Sequence, residues 1–290
     1  MPQLALLLTT LIWGATFPAT KAVLEQIPPL SFLVLRFLTG ALCAWAVLAM
    51  MGVRLHRDRQ TLKRSAIATI WLFCGYVLQT VGLQYTSASN SAFITALYVI
   101  FVPLFLGRFQ PRIWATAVLA LIGLWCLIDP TVVLNLGDLM TLGCAAAFAA
   151  HIVCLESYSR LGDPRSFFVW QLLMVTGVLM PMMWVESPGA NAFALTPVLV
   201  VGLAVTGIFA TGAFAVQVWA QRRVAAQRVA LIFSLEPAYA AWLAWYFLGE
   251  QLSARGWLGS ALILGAVVIG ALAPEVNKTI EATASSPVVS

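Results

Sequence analysis

Between Ser65 and Gly107 the chain runs for 43 residues without one charged side chain. A single helix of that length would measure roughly 65 Å at 1.5 Å per residue, about twice the hydrocarbon thickness of a bilayer. The segment must therefore cross a membrane twice. Further charge-free runs occupy 4–20, 37–53, 113–128, 139–155, 166–185, 187–221 and 256–274. Hydrophobic residues make up 61% of the 290 and charged residues 9%, where a soluble domain carries roughly a quarter charged residues. The chain is thus an integral membrane protein. Its runs are too long and too uniformly apolar for the ten-residue alternation of a barrel strand, which leaves helices.

Turn-forming residues divide the two long runs at Gln84-Tyr85-Thr86-Ser87 and at Pro188-Gly189-Ala190-Asn191. With the apolar segment around Glu236 included, ten spans are predicted, near 4–24, 31–51, 66–84, 88–107, 112–128, 138–159, 166–185, 197–221, 227–248 and 255–273. If the N-terminus is cytoplasmic, 13 of the 16 lysines and arginines fall on the inner side. The positive-inside rule then sets both termini in the cytoplasm, in a bacterial-type inner membrane. The net charge of +5 is accordingly a topology signal, and no nucleic-acid partner is expected. The first span lacks the positive leader of a signal peptide and is kept as part of the fold. All five cysteines lie within spans without a C-x-x-C pair and read as small buried hydrophobes.

The chain also matches itself. A shift of 135 residues puts Lys21 on Glu156, Phe32 on Phe167 and Arg36 on Gln171. At 138, Gln79 meets Gln217 and Tyr98 meets Glu236, while Ala88, Ala92 and Ala96 meet Ala226, Ala230 and Ser234; at 142, Gly107 meets Gly249. Two five-span halves follow, residues 1–130 and 137–273, with a short cytoplasmic tail over 274–290 that is expected to be disordered. Because five is odd, the second half enters the bilayer from the opposite side. Such inverted repeats are found in secondary transporters, whose substrate sits between the halves near the midplane.

FSLEPAYAAWLAWYFLGEQLSARGWLGSALILGAVVI, residues 233–269, resembles the last two spans of EamA-type members of the drug/metabolite transporter superfamily. LIWGATFPATK (11–21), Arg36 and TSASNSAFITALYVIFVPLF (86–105) extend the likeness through the first half. The resemblance implies ten helices in an inverted five-helix repeat around a central cavity. Length and aromatic content resemble the YddG branch of aromatic amino acid exporters, which implies large amino acids as cargo.

Counted along helices, Glu236 lies about 12 Å and Tyr98 about 15 Å from their respective ends, close to the bilayer centre. A lipid-facing carboxylate there is costly, so Glu236 points into the bundle as a substrate site, a proton site or a hydrogen-bonded structural group. Pro237 cannot donate to the Phe233 carbonyl and should loosen the helix beside it, as Pro18 and Pro103 should theirs. Trp13 and Phe17, four apart, form an aromatic face at mid-depth, and Tyr76 with Gln79 adds a hydroxyl and an amide. Gln217 repeats Gln79 but is counted nearer the cytoplasmic end. His151 is the one intramembrane histidine; Tyr239 completes the substrate-binding candidates. Arg36 is expected to snorkel to the outer boundary or to form a structural pair, with neutralising a carboxylate at the cavity mouth as the alternative. Glu156 and Arg160 should pair across one helical turn.

The favoured reading is an alternating-access exporter of aromatic and other large amino acids, with a facilitator or proton-coupled exporter of other metabolites or drugs as the alternative. An intramembrane enzyme would need a nucleophile with its base, paired carboxylates or a metal cluster, and the spans carry no such motif. No catalytic residue, cofactor or metal site is expected. A passive channel is the third class. The partners are a small-molecule substrate and the lipid bilayer. Small-residue stripes serve packing within and between chains alike, so oligomeric state is open, with a monomer as the working expectation.

Overall fold

A computed structural model describes residues 2–107, 109–127, 135–186, 193–248 and 253–272, and all regular structure among them is helical. The helices are α1 (Pro2–Leu24), α2 (Pro29–Met50), α3 (Arg59–Gly82), α4 (Ala88–Thr95), α5 (Tyr98–Phe105), α6 (Pro111–Leu127), α7 (Leu136–Tyr158), α8 (Pro164–Met182), α9 (Pro197–Leu203), α10 (Ala210–Gln221), α11 (Ala226–Phe233), α12 (Glu236–Leu248) and α13 (Ala254–Leu272). A 3₁₀ turn, Met183–Glu186, extends α8, and a π-helical segment, Ala204–Phe209, joins α9 to α10. The turn expected at 188–191 and the tail over 274–290 lie outside the described residues.

Seven stretches of the described residues are long and apolar enough to cross a membrane: Pro2–Leu24, Pro29–Met50, Arg59–Gly82, Ala88–Phe105, Leu136–Tyr158, Pro164–Glu186 and Pro197–Gln221. Pro111–Cys126 and Ala254–Gly270 are shorter apolar helices, and the span expected at 227–248 is divided between α11 and α12. Ten continuous membrane-length helices are therefore not what the described residues present. α3 also starts well before its apolar run. The Asp58 side chain accepts from the Thr61 amide at 2.9 Å, and this cap lets the helix begin among charged residues. Glu186 caps α2 from a distance in sequence, accepting from the amides of Leu30 and Ser31 at 2.8 Å each.

Packing between the halves is reciprocal. α3 lies on α7 as α10 lies on α1; α4 and α5 lie on α7 as α11 and α12 lie on α1; α4 meets α12 as α11 meets α5. α2 pairs with α8, and α6 with α13. The closest backbone approach at a described glycine joins the end of α3 to the start of α7, where a Cβ on Gly137 would collide with the Gly82 carbonyl. Only glycine fits there. Outward, the helices expose large apolar side chains such as Leu4, Leu42, Trp45, Ile122, Trp125 and Ile269. A soluble monomer does not carry so extensive an apolar surface, and hydrocarbon is its natural solvent.

Candidate functional site

Spans four and nine are each interrupted partway along. α4 stops at Thr95 and α5 starts at Tyr98; α11 stops at Phe233 and α12 starts at Glu236. The start of α4, its end and the start of α5 all map onto α11 and α12 by the 138-residue offset that aligned the sequence halves. At both breaks the hydrogen-bond ladder tightens, with Val99 N reaching Ala96 O at 3.1 Å and Leu235 N reaching Ile232 O at 3.2 Å. Pro237 therefore sits in the first turn of α12, where a missing N–H costs little, and not inside a kinked helix. Pro18 lies within the unbroken α1.

The breaks bring their first helical residues together. Tyr98 Oη donates to Glu236 Oε2 at 2.9 Å, with Tyr98 2% and Glu236 5% exposed. Gly14 allows this junction, because a Cβ there would stand 3.0 Å from the Glu236 carbonyl oxygen and 3.1 Å from Tyr239 Cβ. α1 thus abuts the first turn of α12 directly.

Around the contact lies a cavity of about 40 Å³. Six of the eight sequence candidates line it: Trp13, Tyr76, Gln79, Tyr98, His151 and Glu236. Phe17 and Tyr239 do not. Phe17 is buried instead against Ala92 and Ala240, and Tyr239 packs on the apolar core beside Gly14. The remaining wall comes from residues the sequence did not single out, chiefly Phe148, Phe214, Phe233, Thr16 and Thr95. Gln217 also lines it, although counting along its helix had put it nearer one end. Since roughly 10–15 Å³ of such volume holds one water, the cavity as it stands has room for a few waters and none for an indole.

Hydrogen bonds fix which polar atoms face this space. The Ile152 carbonyl can only accept, so Gln221 turns its Nε2 to it at 2.8 Å; Gln221 Oε1 must then accept, from Gln217 Nε2 at 2.8 Å. Gln217 Oε1 is left as a buried acceptor without a partner. The same logic applies to Gln171, whose Nε2 is spent on the Phe167 carbonyl at 3.2 Å. Its Oε1 faces His151 Nε2 at 2.9 Å, which makes the imidazole nitrogen the donor. Trp13 lies tilted against Phe233, ring centroids 4.8 Å apart at 56°, with its Nε1 donor unpartnered, and Gln79 Nε2 reaches Thr95 Oγ1 at 3.3 Å. The cavity wall is thus mainly aromatic, with a few polar atoms held in set directions.

Arg36 departs from the expected snorkelling. It is 4% exposed, donating from Nε to the Thr206 carbonyl of the π-helical segment at 3.1 Å and from Nη2 to Tyr76 Oη at 3.3 Å. Its Cζ lies 4.4 Å from the Tyr76 ring centroid. A π-turn leaves carbonyls poorly served by the helix, and the guanidinium fills that need. Glu156 and Arg160 do pair, at 3.6 Å. Among the described residues no group of three or more His, Cys, Asp or Glu could hold a metal ion.

The sequence model of the EamA-like transporter family matches residues 1–128 and 135–271. An "Uncharacterized transporter" of Archaeoglobus fulgidus is 32% identical over 276 residues, covering 93% of this chain and 85% of its own length. "Uncharacterized transporter YwfM" of Bacillus subtilis is 26% identical over 97% of both chains, and "Uncharacterized inner membrane transporter YhbE" of Escherichia coli is 25% identical over 92% of this chain and 89% of its own. A protein of known crystal structure superposes with a TM-score of 0.77 over 93% of this chain and 96% of its own. At 17% identity that likeness speaks to the fold alone.

Proposed function

The chain belongs to the EamA-like transporter family, and on the premise of a multi-pass membrane transporter of small molecules we propose that it exports amino acids with aromatic or other large side chains by alternating access. The observation that carries the reading is the Tyr98–Glu236 contact, which sets a buried carboxyl at the meeting of two helix breaks inside an aromatic-walled cavity. Broken helices at a central site are a recurrent device of secondary transporters. Glu236 holds the substrate ammonium, Gln79, Tyr76 and Tyr98 give hydrogen bonds, and Trp13 with Phe148, Phe214 and Phe233 receives the side chain. Two inversely inserted halves, residues 1–130 and 137–273, provide the rocking units; the reciprocal helix contacts and the shared 138-residue offset of the breaks support that division. Both termini face the cytoplasm of a bacterial-type inner membrane, a reading supported by the lysine and arginine distribution.

Counterflow tests the substrate claim. Proteoliposomes preloaded with unlabelled tryptophan should accumulate labelled tryptophan, and absence of counterflow with every amino acid tried would remove amino acids as cargo. Dependence of export on membrane orientation, read in cells that overproduce the protein, checks the direction.

A further inference from the structure

We propose that Arg36 is the anion-binding end of the transport site and takes the carboxylate of the substrate, an assignment that rests on the amino acid reading above. Arg36 carries a buried charge with no acidic side chain within 4.0 Å among the described residues; the ion pairs there involve Asp163 and Glu156 only. A cation withdrawn from water needs an anion or a full set of acceptors, and one at membrane depth marks a functional site whose partner has to be found. Here the acceptors are incomplete. Of the five N–H donors of a guanidinium, one goes to the Thr206 carbonyl and one to the Tyr76 hydroxyl, a neutral group at 3.3 Å.

What lies beside Arg36 is space. A second cavity, of about 10 Å³, is bounded by Arg36, Thr206, Thr211, Tyr76 and Phe214. Tyr76 and Phe214 also line the central cavity, so two rings form the wall between the guanidinium and the space that holds Glu236. A buried cation and a buried carboxyl, neither with an ion-pair partner among the described residues, thus face adjoining hollows. An amino acid carries the complementary pair. Its carboxylate fits the planar fork of Arg36 through two parallel hydrogen bonds, displacing the weaker Tyr76 hydroxyl from Nη2, while its ammonium turns toward Glu236. Displacement of Tyr76 merges the hollows and enlarges a cavity that is otherwise too small for the cargo. The partition residues thereby couple carboxylate recognition to opening of the site.

The test uses the full chain in lipid nanodiscs and equilibrium binding of three labelled ligands with one side chain: phenylalanine, phenethylamine, which lacks the carboxylate, and 3-phenylpropionate, which lacks the ammonium. In Arg36→Met, phenylalanine and 3-phenylpropionate should weaken by at least about tenfold, while phenethylamine stays within about twofold. Equal weakening of all three would reduce Arg36 to a prop for the π-helical segment and overturn the proposal. Should Arg36→Met fail to fold, Arg36→Lys decides. A larger loss for phenylalanine and 3-phenylpropionate than for phenethylamine upholds the fork contact, and an equal change in all three overturns it. The two readings fail differently. If no amino acid shows counterflow but 3-phenylpropionate still binds through Arg36, the cargo is another carboxylate and the anion site stands. If the wild type binds no carboxylate of the series, the anion site falls whatever counterflow gives.

Discussion

Among the described residues Glu236 has one hydrogen-bond donor within reach, the Tyr98 hydroxyl at 2.9 Å, and it shares its cavity with rings and amides. Replacement by glutamine keeps the volume and leaves an oxygen for Tyr98 while removing charge and proton exchange. Glu236→Gln should therefore fold as the wild type does and lose at least about tenfold in counterflow, equivalent to about 1.4 kcal/mol of lost substrate binding. If Glu236 carries protons, the pH dependence of counterflow should flatten in the variant; an unchanged profile argues against that role. The carboxyl was legible in the sequence because nothing else within its apolar run carries charge, and its repeat partner Tyr98 fell at a similar counted depth. Counting along a helix gives depth but not direction. Phe17 is one turn from Trp13, yet four residues advance the helix by about 40° beyond a full turn, and at that angle it meets Ala92 and Ala240. Depth likewise left snorkelling and a structural contact both open for Arg36, and its bearing, toward Thr206 and Tyr76, selects the second. Gln217 was set aside on depth, and the Gln217–Gln221–Ile152 chain that makes it an acceptor spans two helices no sequence pattern joins.

The two breaks have different local causes. In span nine Pro237 leaves the Phe233 carbonyl without its donor, a defect visible in the sequence. Span four breaks at Ala96-Leu97 with neither proline nor glycine there, so tertiary packing against α7 and α12 has to impose it. No local signal could have revealed that break. Pro237→Ala supplies an N–H in the first turn of α12, where its absence costs little, and lets α11 run into α12 through a bond to Phe233 O. Melting temperature should hold or rise while counterflow falls, because a continuous helix turns Glu236 away from Tyr98; unchanged transport would show the break is dispensable. At the start of α8, Asp163 accepts from Ser166 Oγ at 2.7 Å, Ser166 N at 3.0 Å and Arg165 Nε at 3.1 Å. Partial burial pushes the Asp163 carboxyl up, but the Ser166 hydroxyl and amide and the Arg165 guanidinium outweigh it and hold it at about 2, below the usual 3.8. A depressed acid contributes its stability above the unfolded pKa and loses it as pH falls through the folded one. Asp163→Ala should then lower the melting temperature by about 2 °C at pH 7, near 1 kcal/mol for a lost cap, with wild type and variant converging between pH 4 and 2. Thermal melts across that range, with no such convergence, would contradict the cap's role.

At the scale of the whole molecule, the charge-free runs were enough to foresee an all-helical membrane protein, and the offset matches set Tyr98 and Glu236 at similar depth without foreseeing their contact. One matched pair reaches further. Lys21 Nζ donates to the carbonyls of Leu83 at 2.5 Å and Thr86 at 2.8 Å, and Thr86 Oγ1 donates to Asp138 Oδ1 at 2.6 Å, tying α1, the α3–α4 link and the start of α7. Its counterpart at the 135-residue offset, Glu156, accepts from the Ala226 amide at 3.0 Å and so ties α7 to the start of α11. The polarity is reversed, a cation on carbonyls at one end and a carboxylate on an amide at the other. Asp138 and Glu156 stand about 27 Å apart along α7, so the two ties close opposite ends of the bundle. Both are made in a state whose central cavity, about 40 Å³, excludes the proposed cargo. In the proposed alternating-access cycle each tie releases in turn, and weakening one should favour the state open at that end. Cys144, fully buried and 4.0 Å from Thr95 of the cavity wall, is a reporter once the other cysteines are replaced. Lys21→Met should raise its labelling by an impermeant maleimide added on the side of the α3–α4 link, and Glu156→Leu on the opposite side. A shift of about 1.4 kcal/mol between states changes their ratio tenfold. Labelling that rises from the same side in both variants, or from neither, would mean that the ties hold helices together without governing which end opens.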